Sequence, residues 1–244
     1  MKIAILNDTH CGIRNASQIF LDNAKDFYEN IFFPECEKRG IKQILHLGDY
    51  YDHRKYINFK VLNHNRNHFL NKVREKGMRM DIIPGNHDTY FKNTNELNSL
   101  KECLGHYMNE VHIVMEPTVM EYGSLKMALL PWINQDNYEK SMNFVNNCIA
   151  DWLGGHLELS GFELMRGITH QHGMDAASFA RFEKVLTGHF HCSSQRDNIW
   201  YLGAQMEFFW SDAHDPKYFH ILDTETREVE KIRNTYTLFE KIVY

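Results

Sequence analysis

Five short clusters in this 244-residue sequence combine carboxylates, an amide and imidazoles: Asp8-Thr9-His10, Gly48-Asp49-Tyr50-Tyr51-Asp52, Gly85-Asn86-His87-Asp88, Gly155-His156 and Gly188-His189-Phe190-His191. Oxygen donors mixed with imidazole nitrogens suit divalent transition ions such as Mn, Fe or Zn better than Mg or Ca. Glycine beside four of the clusters lets the backbone turn sharply and aim a ligand into a shared cleft. Two dications about 3.5–4 Å apart repel each other unless an anion lies between them, so a pair of ions needs a bridging carboxylate. Asp49 is the candidate bridge. Asp8, His10 and His191 then complete one ion, and Asn86, His156 and His189 complete the other. The His189-x-His191 spacing predicts both rings on one side of an extended segment, one for each ion.

His87 follows Asn86 and is expected beside the ions rather than on them, where it stabilises charge on a phosphate or protonates the leaving oxygen. Asp52 is expected to fix the tautomer of His87 through a carboxylate to imidazole hydrogen bond. The expected nucleophile is hydroxide from water whose pKa the ions lower, so no Ser or Cys nucleophile is required. Arg54, Lys55 and Lys60 follow the Asp49 loop, where a phosphate backbone would pass. Other histidines read more plainly: His46 as a core residue within a strand, and His64 and His68 as a solvated or interface face of a helix. Cys11 and Cys192 read as packing residues.

The elements that must position these residues are visible as apolar runs ending in polar clusters. Lys2 to Leu6, Gln43 to Leu47 and Met78 to Ile83 read as strands, separated by helices over Ser17 to Arg39 and Asn58 to Lys76. Alternation of this kind predicts a mostly parallel sheet with helices outside and ligands beyond the carboxyl ends of the strands. Later candidates are shorter: Val111 to Val114, Leu125 to Leu130, Ile149 to Leu153, Lys184 to Leu186, Tyr218 to Leu222 and Glu228 to Arg233, interrupted by a helix near Gln135 to Asn147. With 43% hydrophobic residues and no linker or repeat, residues 1–244 read as a single domain. A net charge of −5 means that any polyanion must be met by a local patch. Five scattered cysteines without a C-x-x-C pair argue for a reducing compartment, and no apolar run reaches membrane-spanning length, so a cytoplasmic location is expected.

The ordered set D-x-H, G-D-x-x-D, G-N-H-D, G-H and G-H-x-H resembles the calcineurin-like metallophosphoesterase superfamily. More closely, the chain is similar to the SbcD-type nucleases, which include the meiotic recombination eleven family, and above all to the recombination endonuclease subunits of T-even-like phages. Gly48 to Lys60 (GDYYDHRKYINFK), Gly155 to Gly167 (GHLELSGFELMRG) and His214 to Thr226 (HDPKYFHILDTET) carry that closer likeness. The resemblance implies a four-layer α/β/β/α sandwich of two mixed sheets and a pair of Mn²⁺ ions, with Fe²⁺ or Zn²⁺ as alternatives. It also implies nuclease action on DNA ends in repair and recombination, an SbcC-type ATPase partner, and the host cytoplasm if the gene is phage-borne. A homodimer contact is implied through the helices around Asn58 to Lys76 and Thr94 to Leu104. The capping and ATPase-binding regions of that family are not expected within this chain. Asp52 stands where many cellular relatives carry histidine, and phosphoprotein phosphatases use an aspartate there to support their histidine. His53 occupies the place of their phosphate-binding arginine. A phosphomonoesterase or phosphoprotein phosphatase is therefore the second reading, and a structural module that recruits an ATPase to DNA is the third.

Overall fold

The computed structural model describes residues 1–165 and 167–241. Arg166, within the Gly155 to Gly167 segment, and residues 242–244 lie outside the described residues. The strands in chain order are β1 (Lys2–Leu6), β2 (Gln43–His46), β3 (Arg79–Ile82), β4 (Val111–Ile113), β5 (Thr118–Tyr122), β6 (Leu125–Leu130), β7 (Trp152–His156), β8 (Glu163–Met165), β9 (Ile168–Thr169), β10 (Lys184–Gly188), β11 (Ser194–Arg196), β12 (Ile199–Tyr201), β13 (Lys217–Asp223) and β14 (Glu228–Asn234). One sheet has the order β14-β13-β1-β2-β3-β4, with β1 to β4 parallel and β13 antiparallel to both its neighbours. The second has the order β11-β12-β10-β7-β6-β5, parallel through its middle and antiparallel at both edges. β8 and β9 form a separate hairpin.

Successive side chains of a strand point to opposite faces, and here both faces of each sheet are apolar. On β1, Ile3 and Ile5 enter the core between the sheets, while Ala4 and Leu6 enter the core under the helices. Met127 and Leu129 of β6 likewise face the first sheet, and Ala128 and Leu130 face outward to a third core. Three apolar cores require four layers, and the expected α/β/β/α sandwich of two mixed sheets forms.

The long helices are less regular than their sequence pattern predicts. Ser17 to Arg39 folds as α1 (Gln18–Phe27) and α2 (Phe33–Lys38) joined by a π-helical stretch, Tyr28–Phe32. Asn58 to Lys76 repeats the device as α3 (Phe59–Asn65) and α4 (Asn71–Glu75), joined by π-helical Arg66–Leu70. Two further α-helices are α5 (Ser99–Leu104) and α6 (Tyr138–Asn147). Val61, Phe69 and Leu70 are buried in the core of their own sheet, so this apolar stripe is used within the protein rather than left for a second copy. Phe59, 86% exposed, is the apolar residue that α3 presents outward.

The strand expected over Ile149 to Leu153 forms instead at β7, three residues later. Ile149 is exposed, whereas Gly154 and Gly155, the second of them expected to turn the chain, are buried within the strand beside leucine side chains. His156 is therefore the last residue of a buried strand, fixed by the sheet rather than by a loop.

Candidate metal centre

The loops after β1 and β2 lie side by side at the carboxyl ends of their strands. Asp8 N–H donates to Gly48 O (2.9 Å), His10 N–H to Asp49 O (3.1 Å) and Cys11 N–H to Tyr50 O (2.8 Å). Asp8, His10, Asp49 and His189 all adopt positive φ (47°, 41°, 54° and 91°). Four non-glycine residues in this sparsely populated region are strained, and such strain persists only where the surroundings impose it. At Gly85 a Cβ would lie 2.2 Å from Asp49 Oδ1, and at Gly188 one would lie 2.8 Å from Asp8 Oδ2. These two glycines leave room for the carboxylates rather than turning the chain.

Three groups of ligand atoms result, those of each group within 4.8 Å of one another: Asp8, His10 and His191 at one end, Asp49, His156 and His189 at the other, and His10, Asp49 and His87 overlapping both. Asp49 lies between the two ends, with Oδ2 3.7 Å from His10 Nε2 and 3.4 Å from His156 Nε2. Asn86 Oδ1 closes the second group, 2.9 Å from His189 Nδ1 and 3.1 Å from His156 Nε2. His10 Nε2 and His191 Nε2 approach to 3.0 Å. So many acceptor atoms converging where water is excluded fit divalent cations, because one shared proton satisfies only one such pair at a time. His156 Nδ1 donates to Leu47 O (2.8 Å), which fixes the tautomer that turns the Nε2 lone pair inward.

The expected His189-x-His191 geometry is corrected. His189 lies in a bend at φ 91°, so the two rings do not share one side of a strand. The kink sends His189 to Asn86 and His191 to His10, one ring to each donor group.

The electrostatics follow from burial and crowding. Burial pushes the Asp49 carboxyl up, yet the imidazoles of His156, His10 and His87 outweigh it and hold this acid well below its usual range. Burial opposes charge on His156 too, but Asp49 and Asp8 raise it to about 9. Burial, with His156 nearby, lowers His189 to about 3, and burial with His10 lowers His191 well below its ordinary value. These last two rings are neutral, as metal-ligating imidazoles must be.

Asp52 is placed differently from the sequence expectation. His87 Nδ1 lies 2.6 Å from the main-chain carbonyl of Asp52, not from its carboxylate. The carboxylate instead faces His10 Nδ1 at 3.3 Å, an ion-pair distance without hydrogen-bond alignment. His87 also donates its backbone N–H to Asp49 Oδ1 (2.7 Å), and its ring meets that of His10 edge-on at 4.8 Å.

The basic residues divide. The Arg54 side chain donates to Thr89 O (2.8 Å), Thr89 Oγ1 (3.2 Å) and Phe91 O (2.8 Å), so it ties the Asn86–His87 loop to the Asp49 loop and is not free for substrate. Lys60 Nζ donates to Ala16 O (3.2 Å). His53 stacks on Tyr56, ring centres 4.6 Å apart, and Lys55 is exposed over Tyr90. His46 is buried, contacts Thr9 Oγ1 at 3.1 Å and is lowered to about 3 by burial. His68 pairs with Glu29 at 2.8 Å.

Three positioning residues gave little or no sign in the sequence. Asp88 accepts from the N–H groups of Tyr50, Tyr51 and Gly85 at 2.9–3.2 Å and so locks the two central loops together. Asn7 donates to Asp8 Oδ2 (2.6 Å) and to Gly203 O (3.0 Å). Arg14 follows Gly12 in a left-handed turn, with φ near 55° at Arg14, Asn15 and Ala16. Its Nε donates to Phe208 O (3.0 Å), and its guanidinium covers Phe209, whose ring is stacked 6.0 Å from His191. Asp88 is the last residue of the G-N-H-D cluster and Asn7 adjoins Asp8, which was the available signal; Arg14 carried none.

Residues 1–193 match the model of the calcineurin-like phosphoesterase family. The whole chain is 30% identical to exonuclease subunit 1 of Enterobacteria phage T4, spanning 71% of that protein's length. Among solved structures, one described as a novel archaeal phosphodiesterase is similar at 18% identity and a TM-score of 0.47, over 96% of this chain and all of that one. A family match over residues 1–193, which hold every candidate ligand, and a relative alike over the whole of this chain lead to one conclusion: this chain belongs to the calcineurin-like phosphoesterase family.

Proposed function

We propose that the protein is a metal-dependent DNA nuclease that hydrolyses phosphodiester bonds at a centre of two divalent ions, Mn²⁺ foremost and Fe²⁺ or Zn²⁺ as alternatives. The observation that carries this reading is the sharing of Asp49 Oδ2 between two buried donor groups. Asp8, His10, Asp49 and His191 would hold one ion, and Asp49, Asn86, His156 and His189 the other. When bound, the ions draw charge from the phosphate and make water acidic enough near neutral pH to serve as the nucleophile. His87 acts on the substrate. A carbonyl accepts hydrogen bonds only, so Nδ1 carries one proton, and Nε2 would have to carry a second in order to donate to the phosphate or give that proton to the leaving oxygen, which returns the ring to its neutral form. His53 and Lys55 are exposed enough to meet the phosphate backbone.

Nuclease is preferred to phosphatase on two counts. The similarity to an exonuclease subunit runs the full length of the chain. The phosphatase reading rested on an Asp52 carboxylate supporting His87, and that carboxylate faces His10 instead. An SbcC-type ATPase partner, self-association through the outward surfaces of α3 to α5, where Phe59 is exposed, and cytoplasmic work in DNA repair and recombination belong to the same proposal. No helix among the described residues is long and apolar enough to cross a membrane.

The test is a substrate panel with manganese: single- and double-stranded DNA, bis(p-nitrophenyl) phosphate and a phosphopeptide. Turnover of DNA and the diester is expected. Turnover of the phosphopeptide without DNA would reverse the ranking.

A further inference from the structure

A cleft of about 540 Å³ opens beside the donor group of Asp49, His156 and His189. Its inner wall is Trp132, whose ring centre lies 5.4 Å from that of His189 and 5.9 Å from that of His156. Tyr138, 48% exposed, supplies a second aromatic face. The indole packs against the His156 and His189 rings, and the backbone that carries it is held from both sides. Trp132 N–H donates to Pro84 O (2.9 Å), and its carbonyl accepts from Asn95 Nδ2 (2.8 Å) and Asn137 Nδ2 (3.0 Å). An aromatic wall that needs no reordering binds a flat ring at low entropic cost.

The charge of the cleft is unlike that of a phosphate channel. Asp136, Glu139 and Glu158 line it, and no Lys or Arg is among its lining residues. Glu158 is partly balanced by His170, 3.1 Å away. A phosphate placed there meets like charge, whereas the exocyclic amines of a base find acceptors and its face finds indole and phenol. A phosphate held beside His156 and His189 would have Trp132 within reach of one of its flanking nucleosides, because the indole centre lies 5.9 and 5.4 Å from the centres of those two rings.

We infer that this cleft receives the terminal nucleoside of the strand being cut, stacked on Trp132, and that its carboxylates select a strand end carrying no terminal phosphate. The inference rests on the nuclease reading and narrows its substrate. An internal position would place its next phosphate against the same carboxylates, so the cleft favours cutting at ends.

The experiment uses single-stranded oligonucleotides of one sequence, bearing hydroxyl or phosphate at either terminus, with manganese and with bis(p-nitrophenyl) phosphate as a base-free control. Phosphate at one terminus is expected to lower kcat/KM about tenfold, and an Asp136→Asn/Glu139→Gln/Glu158→Gln variant to lose that discrimination. Trp132→Leu is expected to raise KM for DNA about tenfold and Trp132→Phe to restore most of it. The Trp132→Leu variant should also bind the oligonucleotide more weakly without manganese, read by fluorescence anisotropy. DNA cleaved equally well whatever its termini, with Trp132→Leu unchanged in KM and binding, would overturn the cleft inference and leave the nuclease reading intact. Hydrolysis of the control diester with no DNA cleaved would overturn both.

Discussion

The Nδ1 of His87 is held 2.6 Å from the main-chain oxygen of Asp52, while the carboxylate of the same residue turns to His10. One residue thus serves two imidazoles with two different groups. His87→Ala should keep its metal content and lose roughly 10²–10⁴ in single-turnover cleavage at saturating manganese. Asp52→Asn keeps the carbonyl, so its smaller loss should come through His10. Because the two routes differ, the losses should multiply in the double variant; a double no worse than His87→Ala would return Asp52 and His87 to a single unit.

Asp49 is the residue on which both donor groups depend. Asp49→Ala should retain fewer than two ions per chain after dialysis, measured by elemental analysis, together with loss of turnover. Two ions retained at normal turnover would remove Asp49 from the bridging position.

Arg54 makes three hydrogen bonds to the loop that carries Asn86 and His87. Arg54→Ala should lower unfolding stability by about 1–3 kcal/mol and raise the manganese needed for half-maximal activity. KM for DNA at saturating manganese should move less than twofold. A large rise in KM with an unchanged manganese requirement would make Arg54 a substrate contact.

His220, buried on β13, is lowered to about 3 by burial and by Lys231, so it is neutral in the folded protein. The unfolded chain takes up this proton near pH 6.5. Its contribution to stability is therefore complete above about pH 6.5 and is lost as the pH falls toward 3. His220→Leu should flatten the pH dependence of urea unfolding between about pH 6 and 4, by up to about 1.4 kcal/mol per pH unit. An unchanged slope would mean that His220 stays neutral in both states or keeps its proton when folded.

The candidate donor set was legible because metal chemistry restricts residue type and strand ends restrict place, and the structure brings those side chains together. Asp8, Asp49 and Asn86 follow recognisable strands, and His156 and His189 follow paired letters that the sheet brings together. What escaped the sequence runs through the main chain or through packing. A carbonyl that orients His87 has no residue signature, so the Asp52 side chain drew the attention. Arg54 looks like any loop cation until its three acceptors are known. Gly155 is expected to turn the chain because its burial in a strand depends on Leu153 and Leu157, and that of Gly154 on Leu47 and Leu129 from other segments. The π-helical stretches leave no trace in an apolar period that already fits an α-helix.

The left-handed turn from Gly12 to Ala16 gives the scaffold one place where opening releases energy. Each L-residue in that conformation costs about 1–2 kcal/mol, and Arg14, Asn15 and Ala16 share it. Its restraints are Arg14 on Phe208 and Phe209, Lys60 on Ala16, the backbone bonds from Ile13 N–H to His10 O, Ala16 N–H to Gly12 O and Ser17 N–H to Arg14 O, and the burial of Ile13 and Ala16. Local opening that breaks only these contacts relieves strain, so its free energy falls below that of global unfolding. Amide hydrogens of this turn should exchange earlier than those of the Asn86 and His156 segments. The His10 side of the site is then the more mobile, and the His156 side the more rigid.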